Sequence, residues 1–154
     1  MLAILISIRP KWTEKILSGE KPIEVRKTGI PRSLLPIKCF IYETKQVWTG
    51  EDGVRRKGRG MVVGEFICND IREICPDVHY TQDRFSLEKE TRLTPQELYR
   101  YAAGRDVYGW HATNANAYDK PLPLTAFKGW HHEGMQASLL TLDRPPQSWR
   151  YIEL

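Results

Sequence analysis

The sequence predicts an α+β domain built on a curved or closed β-sheet with short flanking helices. Three observations carry that expectation. Several short runs of branched aliphatic and aromatic residues read as strands, two segments carry helix punctuation, and the connections are long, without regular strand–helix alternation. That pattern disfavours a doubly wound parallel sheet. The glycine cluster between Gly50 and Gly60 is followed by a strand rather than a helix, so the chain has neither a phosphate-cradling loop nor a dinucleotide fingerprint, and no cofactor is expected.

Ala3 to Ile8 is rich in branched aliphatics and stops at Arg9-Pro10, as a central strand does where proline ends ladder bonding. Pro10 then suits a helix start. Trp12 and Ile16 lie four apart on one face of a short helix to Ser18, with Gly19 as its C-cap. In Ile23-Glu24-Val25-Arg26 the period of two places Ile23 and Val25 on the core and Glu24 with Arg26 on the opposite face. After a turn with Pro31 and Pro36, Ile37 to Tyr42 reads as a further strand, both faces partly covered.

Trp48 to Gly60 lacks apolar content and reads as a mobile hairpin loop carrying Arg55, Arg56, Lys57 and Arg59. Met61 to Cys68 is a strand with a bulge or close backbone approach at Gly64. Asp70 to Thr91 reads as a charged surface excursion in which Phe85 and Leu87 touch the core. Thr94-Pro95-Gln96-Glu97 is a capping box that opens a helix ending at Gly104. Val107 to Thr113 reads as a strand, Asn114 to Phe127 as an extended loop, and Ser138 to Leu142 as a weak edge strand. Pro145-Pro146 confines Trp149 to Leu154 to a sheet edge or a groove.

With 154 residues, one domain over 1–154 is expected, and 41% hydrophobic with 27% charged residues excludes a fibre or a wholly disordered chain. The net charge of +4 adds modest weight to a polyanionic partner. Cys39, Cys68 and Cys75 lie in no metal or redox spacing and read as reduced thiols. The short apolar start lacks a basic flank before it and reads as a strand, not as a signal peptide or membrane span, so a cytoplasmic protein without a membrane partner is expected. His131-His132, beside Trp130 on one loop, lack a third ligand nearby, and no metal is assigned.

The run Ile4-Leu5-Ile6-Ser7-Ile8-Arg9-Pro10, the helix to Ile16-Leu17, then Gly19-Glu20-Lys21 and Glu24-Val25-Arg26-Lys27 resembles the opening motif of the ASCH family. Val63-Gly64-Glu65-Phe66 and Tyr118-Asp119-Lys120-Pro121-Leu122 with Phe127 continue the likeness. The resemblance implies a PUA-like pseudo-barrel with a cleft beside the first helix, RNA binding, and in some members hydrolysis of N4-acetylcytidine or cleavage of RNA. It implies Lys21 and Glu65 as catalytic partners, whereas Glu24 stands where the hydrolases keep a threonine, so the hydroxyl nucleophile of that route is missing.

The residues themselves are compatible with one bound nucleotide or an RNA. Arg9, Lys21, Arg26 and Lys27 offer positive charge for a phosphate, and Glu24 can accept from an exocyclic amine. The alternative is a surface ion pair between Glu24 and Arg26. Glu65 interrupts an apolar strand and should face a cleft or meet a cation such as Lys21 or Arg26. Trp110 and Tyr118 can stack on a base, although core packing explains Trp110 equally well. Arg55, Arg56, Lys57 and Arg59 suit a phosphate clamp or a solubilising tip. Three function classes follow: an RNA or nucleotide binding module, a hydrolase or ribonuclease on the same cleft, and a protein interaction module.

Overall fold

The computed structural model describes residues 1–76 and 84–154. β1 (Leu2–Ile8) leads into α1 (Pro10–Leu17) and β2 (Ile23–Arg26), as the proline and the period-two pattern require. β3 (Ile37–Glu43), a small hairpin of β4 (Val47–Thr49) with β5 (Arg55–Lys57), and the long β6 (Val62–Ile74) follow. Two helices, α2 (Arg84–Thr91) and α3 (Pro95–Ala102), precede β7 (Val107–Leu122), β8 (Lys128–Glu133), β9 (Gln136–Thr141) and β10 (Trp149–Glu153).

Eight strands form one sheet in the order β2-β7-β6-β3-β1-β10-β8-β9, with β1 and β3 parallel and the other neighbours antiparallel. Among the described residues the sheet is open, with β2 and β9 at its ends, so the closed form of the expected sheet is not found. One face packs Ile4, Ile6, Ile8, Phe66 and Trp110 against Ile16 of α1. The other buries Leu5, Phe40, Phe127 and Ile152, and a third cluster seats Val25, Ile74 and Val107 under Leu87 of α2 and Leu98 of α3.

The expected irregularity at Gly64 has a steric cause. A Cβ there would fall 2.5 Å from the Asn116 carbonyl oxygen and 2.6 Å from Cδ2 of Leu17, and the β6–β7 register shifts beside it. The capping box also forms: the Thr94 hydroxyl accepts from the Glu97 N–H and the Glu97 carboxylate from the Thr94 N–H.

Four expectations need correction. The excursion from Asp70 to Thr91 contains regular elements: β6 runs on to Ile74 because Ile71 and Ile74 are buried opposite Trp110 and Val107, and α2 ends at the buried Thr91. Leu87 is in the core, while the Phe85 side chain lies outside the described residues. The loop from Asn114 is the second half of β7, and Pro121 is tolerated because β2 flanks β7 only at Tyr108–His111. His131 and His132 sit on β8 rather than a loop. Finally, β10 is not an edge: it pairs with β1 along its length and with β8 at Glu153, leaving β9 at the margin.

Candidate functional site

Gly19, at φ +85°, turns the chain out of α1 in a conformation that glycine tolerates best, and the Lys21 side chain is carried into the interior. Lys21 is 1% exposed, Glu24 6% and Arg26 8%. The Lys21 ammonium donates to the carbonyls of Ile23 (3.0 Å) and Thr91 (2.5 Å), lies 3.5 Å from Glu24 Oε2, and sits 5.0 Å from the centre of a Trp12 ring. Arg26 Nη2 lies 3.0 Å from Glu24 Oε1 and donates to the Ser7 carbonyl at 2.6 Å, while Nη1 reaches Ser148 Oγ at 3.3 Å. One carboxylate thus bridges two buried cations. Burial pulls the Lys21 ammonium below its ordinary range, opposed by Glu24.

Arg9 and Lys27 stay exposed beside this network, and Lys27 Nζ lies 5.3 Å from the centre of the Tyr101 ring. Of the residues expected to share a pocket, Lys21, Glu24 and Arg26 are together, and they form a closed interior network. Among the described residues, the buried Arg26 Nε has no hydrogen-bond partner.

Glu65 does meet a cation, but the cation is Lys38 at 3.0 Å, and its other oxygen accepts from the Tyr118 hydroxyl at 2.5 Å. Strand parity explains why Lys21 is not its partner. Glu65 is registered with Phe40 on the face of the second core, whereas α1 packs on the opposite face through Ile16. Burial works against the Glu65 charge, yet the Tyr118 and Lys38 contacts together hold its carboxyl below the usual range. Tyr118 is bonded to a carboxylate rather than left open for stacking, and burial with Glu65 raises its phenol. Trp110 is fully buried, gives its indole N–H to the Thr28 carbonyl at 3.1 Å and packs edge-on to Trp149, so packing accounts for it.

On the other flank of α1 lies an open cleft of about 520 Å³. Thr13, Glu14 and Leu17 of α1 form one wall, Trp48 and Arg56 of the hairpin face them, and Glu43, Arg59 and Ala117 also line it. The hairpin is seated closely: a Cβ on Gly58 would fall 1.7 Å from the Thr44 carbonyl oxygen. Thr13 Oγ1 donates to Glu43 Oε2 at 2.5 Å, and Glu43 Oε1 accepts from Nε and the backbone N–H of Arg59, each at 2.9 Å. Arg56 grips Asp52 through both terminal nitrogens and lies over Trp48, its guanidinium carbon 5.7 Å from a ring centre. Arg55 and Lys57 are exposed on the same hairpin. Sequence reading missed Thr13, Glu43 and Trp48; the signal for Glu43 was a lone carboxylate closing the apolar run from Ile37.

Burial disfavours the Glu43 charge, but the hydrogen bonds from Arg59 and Thr13 outweigh it and lower its carboxyl from the ordinary 4.5. A depressed carboxyl stabilises the fold above the unfolded value, and that contribution is lost as pH falls through the folded value. Glu43→Gln is therefore expected to cost about 2 kcal/mol at neutral pH, a Tm drop on the order of 5 °C. Thermal melts across the acid range should show the gap to wild type closing below about pH 4; a gap independent of pH would contradict the assignment.

His131 and His132, adjacent on β8, point to opposite faces, and among the described residues no three His, Cys, Asp or Glu side chains group so as to hold a metal ion. Cys39 and Cys68 are buried free thiols; burial raises both, that of Cys68 to about 12.

No protein-family model and no curated protein matches the chain. Solved structures do. ASCH from Zymomonas mobilis superposes with a TM-score of 0.66 at 19% identity, over 98% of this chain and 87% of that one. A serine-to-alanine variant of that protein gives 0.67 at 18% identity, covering 98% and 88%, and a tyrosine-to-phenylalanine variant gives 0.64 at 18%, covering 98% and 90%. The chain has the ASCH fold.

Proposed function

We propose that the chain is an ASCH domain that binds single-stranded RNA or a nucleotide in the cleft between α1 and the β4–β5 hairpin. The observation that carries this reading is the meeting of an open volume of about 520 Å³ with an aromatic ring and a cationic hairpin on one wall. That volume falls within the range of small-ligand sites. Trp48 supplies a sequence-tolerant stacking surface for a base, and Arg56 and the half-exposed Arg59 supply charge at the cleft wall. Arg55 and Lys57, on the outer face of the same strand, supply charge for the phosphates of the RNA strand where it leaves the cleft. A base held in a double helix cannot enter such a cleft, so the ligand is single-stranded. Among the described residues no helix is long and apolar enough to cross a membrane.

Anisotropy of an end-labelled oligoribonucleotide tests the site. Trp48→Ala should weaken binding by about 1 to 3 kcal/mol, roughly fivefold to more than a hundredfold. Unchanged affinity would place the ligand elsewhere.

A second reading, hydrolysis of a modified nucleoside, is favoured by the lowered basicity of Lys21, since burial brings the ammonium closer to the range useful for proton transfer. Against it stand the closure of the network around Lys21 and the position of Glu65 on the other face of the sheet. Product formation from acylated nucleosides that is lost in Lys21→Ala would establish turnover at this lysine.

A further inference from the structure

The two ends of the large sheet are treated differently. β2 is buried at all four residues, and Val25 is packed with Leu87 of α2 and Leu98 of α3. β9 is exposed at all six, and no strand or helix of the described residues flanks its outer side. Edge strands are ordinarily protected by charge, proline, a bulge or a cover. Gln136-Ala137-Ser138-Leu139-Leu140-Thr141 has no charge and no proline, and pairs with β8 in six consecutive steps without a register shift. Leu139 is 38% and Leu140 51% exposed, and Trp130, opposite Leu139 on β8, is 43% exposed.

We infer that β9 is the seam of a homodimer, pairing antiparallel with β9 of a second copy about a two-fold axis at Leu139. Symmetry limits the registers, and the side chains they oppose favour this one. A two-fold axis normal to the sheet keeps each residue on its own face, so directly opposed residues share parity and the axis passes through a residue. Centred on Leu139, it sets Leu139 against the partner's Leu139 and Ala137 against the partner's Thr141. Trp130 lies on the same face, so the two tryptophans and two leucines form one apolar row across the axis. Centred on Ser138, it would oppose serine to serine and Gln136 to the partner's Leu140. Self-pairing opposes every side chain on the seam to a symmetric set, which penalises a charged strand; β9 carries no charge and escapes that penalty. Of the twelve residues in β8 and β9, all but Gly129 are exposed. Eleven residues are about half of a standard interface side, which fits a dimer of micromolar rather than obligate strength.

Sedimentation of the whole chain from about 1 µM to about 300 µM should shift from the mass of one chain to that of two and go no further. Leu139→Lys, an exposed substitution that sets two ammonium groups against each other, should raise the dissociation constant at least about tenfold, with near-ultraviolet dichroism unchanged. Under a mild thiol oxidant, Leu139→Cys should cross-link into dimers, while Leu140→Cys, whose copies are offset along the seam, should not exceed wild type. A single-chain mass throughout, species growing beyond two chains, a dimer indifferent to Leu139→Lys, or equal cross-linking through position 140 would each overturn the proposal.

Discussion

Replacing Glu24 by glutamine is expected to lower the unfolding free energy by about 3 to 5 kcal/mol in urea titration. Glutamine keeps the shape of the side chain and removes the one charge that lies between the Lys21 ammonium and the Arg26 guanidinium, both almost wholly buried. The cost comes from two cations left in the interior without a counter-charge. Its pH dependence identifies the cause. Lys21 already titrates below its unfolded value, so the unfolded chain binds more protons and stability rises with pH across that interval. Without Glu24 the lysine falls further and sheds its proton sooner, so the deficit should narrow as the pH is raised from neutrality toward the unfolded lysine value. Adding Lys21→Met to the same chain should restore part of the loss, because an apolar chain of similar length replaces a buried charge. A deficit below about 1 kcal/mol would mark Glu24 and Arg26 as a solvated surface pair.

Trp110→Ala is expected to destabilise by about 3 to 5 kcal/mol. The ring is fully buried in the core between the sheet and α1, and its loss also deprives the Thr28 carbonyl of its indole donor. RNA affinity, measured where the variant is still folded, should stay at the wild-type value. The converse result, a stable protein with weakened binding, would be the behaviour of a base-stacking tryptophan.

What the sequence revealed was local. Pro10 and the alternation from Ile23 to Arg26 specify strand, helix and strand because both act within a few residues. Gly64 and the Thr94 box were legible for the same reason. α2 was not, since among its described side chains Leu87 and Thr91, one helical turn apart, are the buried ones, and apart from Phe85 and Leu87 its residues are polar. The second half of β7 was hidden by its polar residues and by a proline that only an edge accepts. Glu24 and Arg26 were correctly placed on one face, but the buried network they form with Lys21 also uses Ser7 and Ser148, which bond Arg26, and Thr91, which bonds Lys21, and no spacing connects these to them. Which residues line the cleft was not legible, because Thr13 and Glu43 lie 30 residues apart and no local spacing connects them.

The salt dependence of RNA binding tests the proposed cleft most directly. Wild type and Arg55→Ala/Lys57→Ala, which alters two exposed cations and no ion pair of Glu43 or Asp52, should be titrated with the same single-stranded oligoribonucleotide at increasing salt. Each phosphate contact to a single strand contributes about 0.7 to the slope of log affinity against log salt, so the variant's slope should be shallower by about 1.4. Parallel lines for the two proteins would contradict a hairpin that holds phosphates.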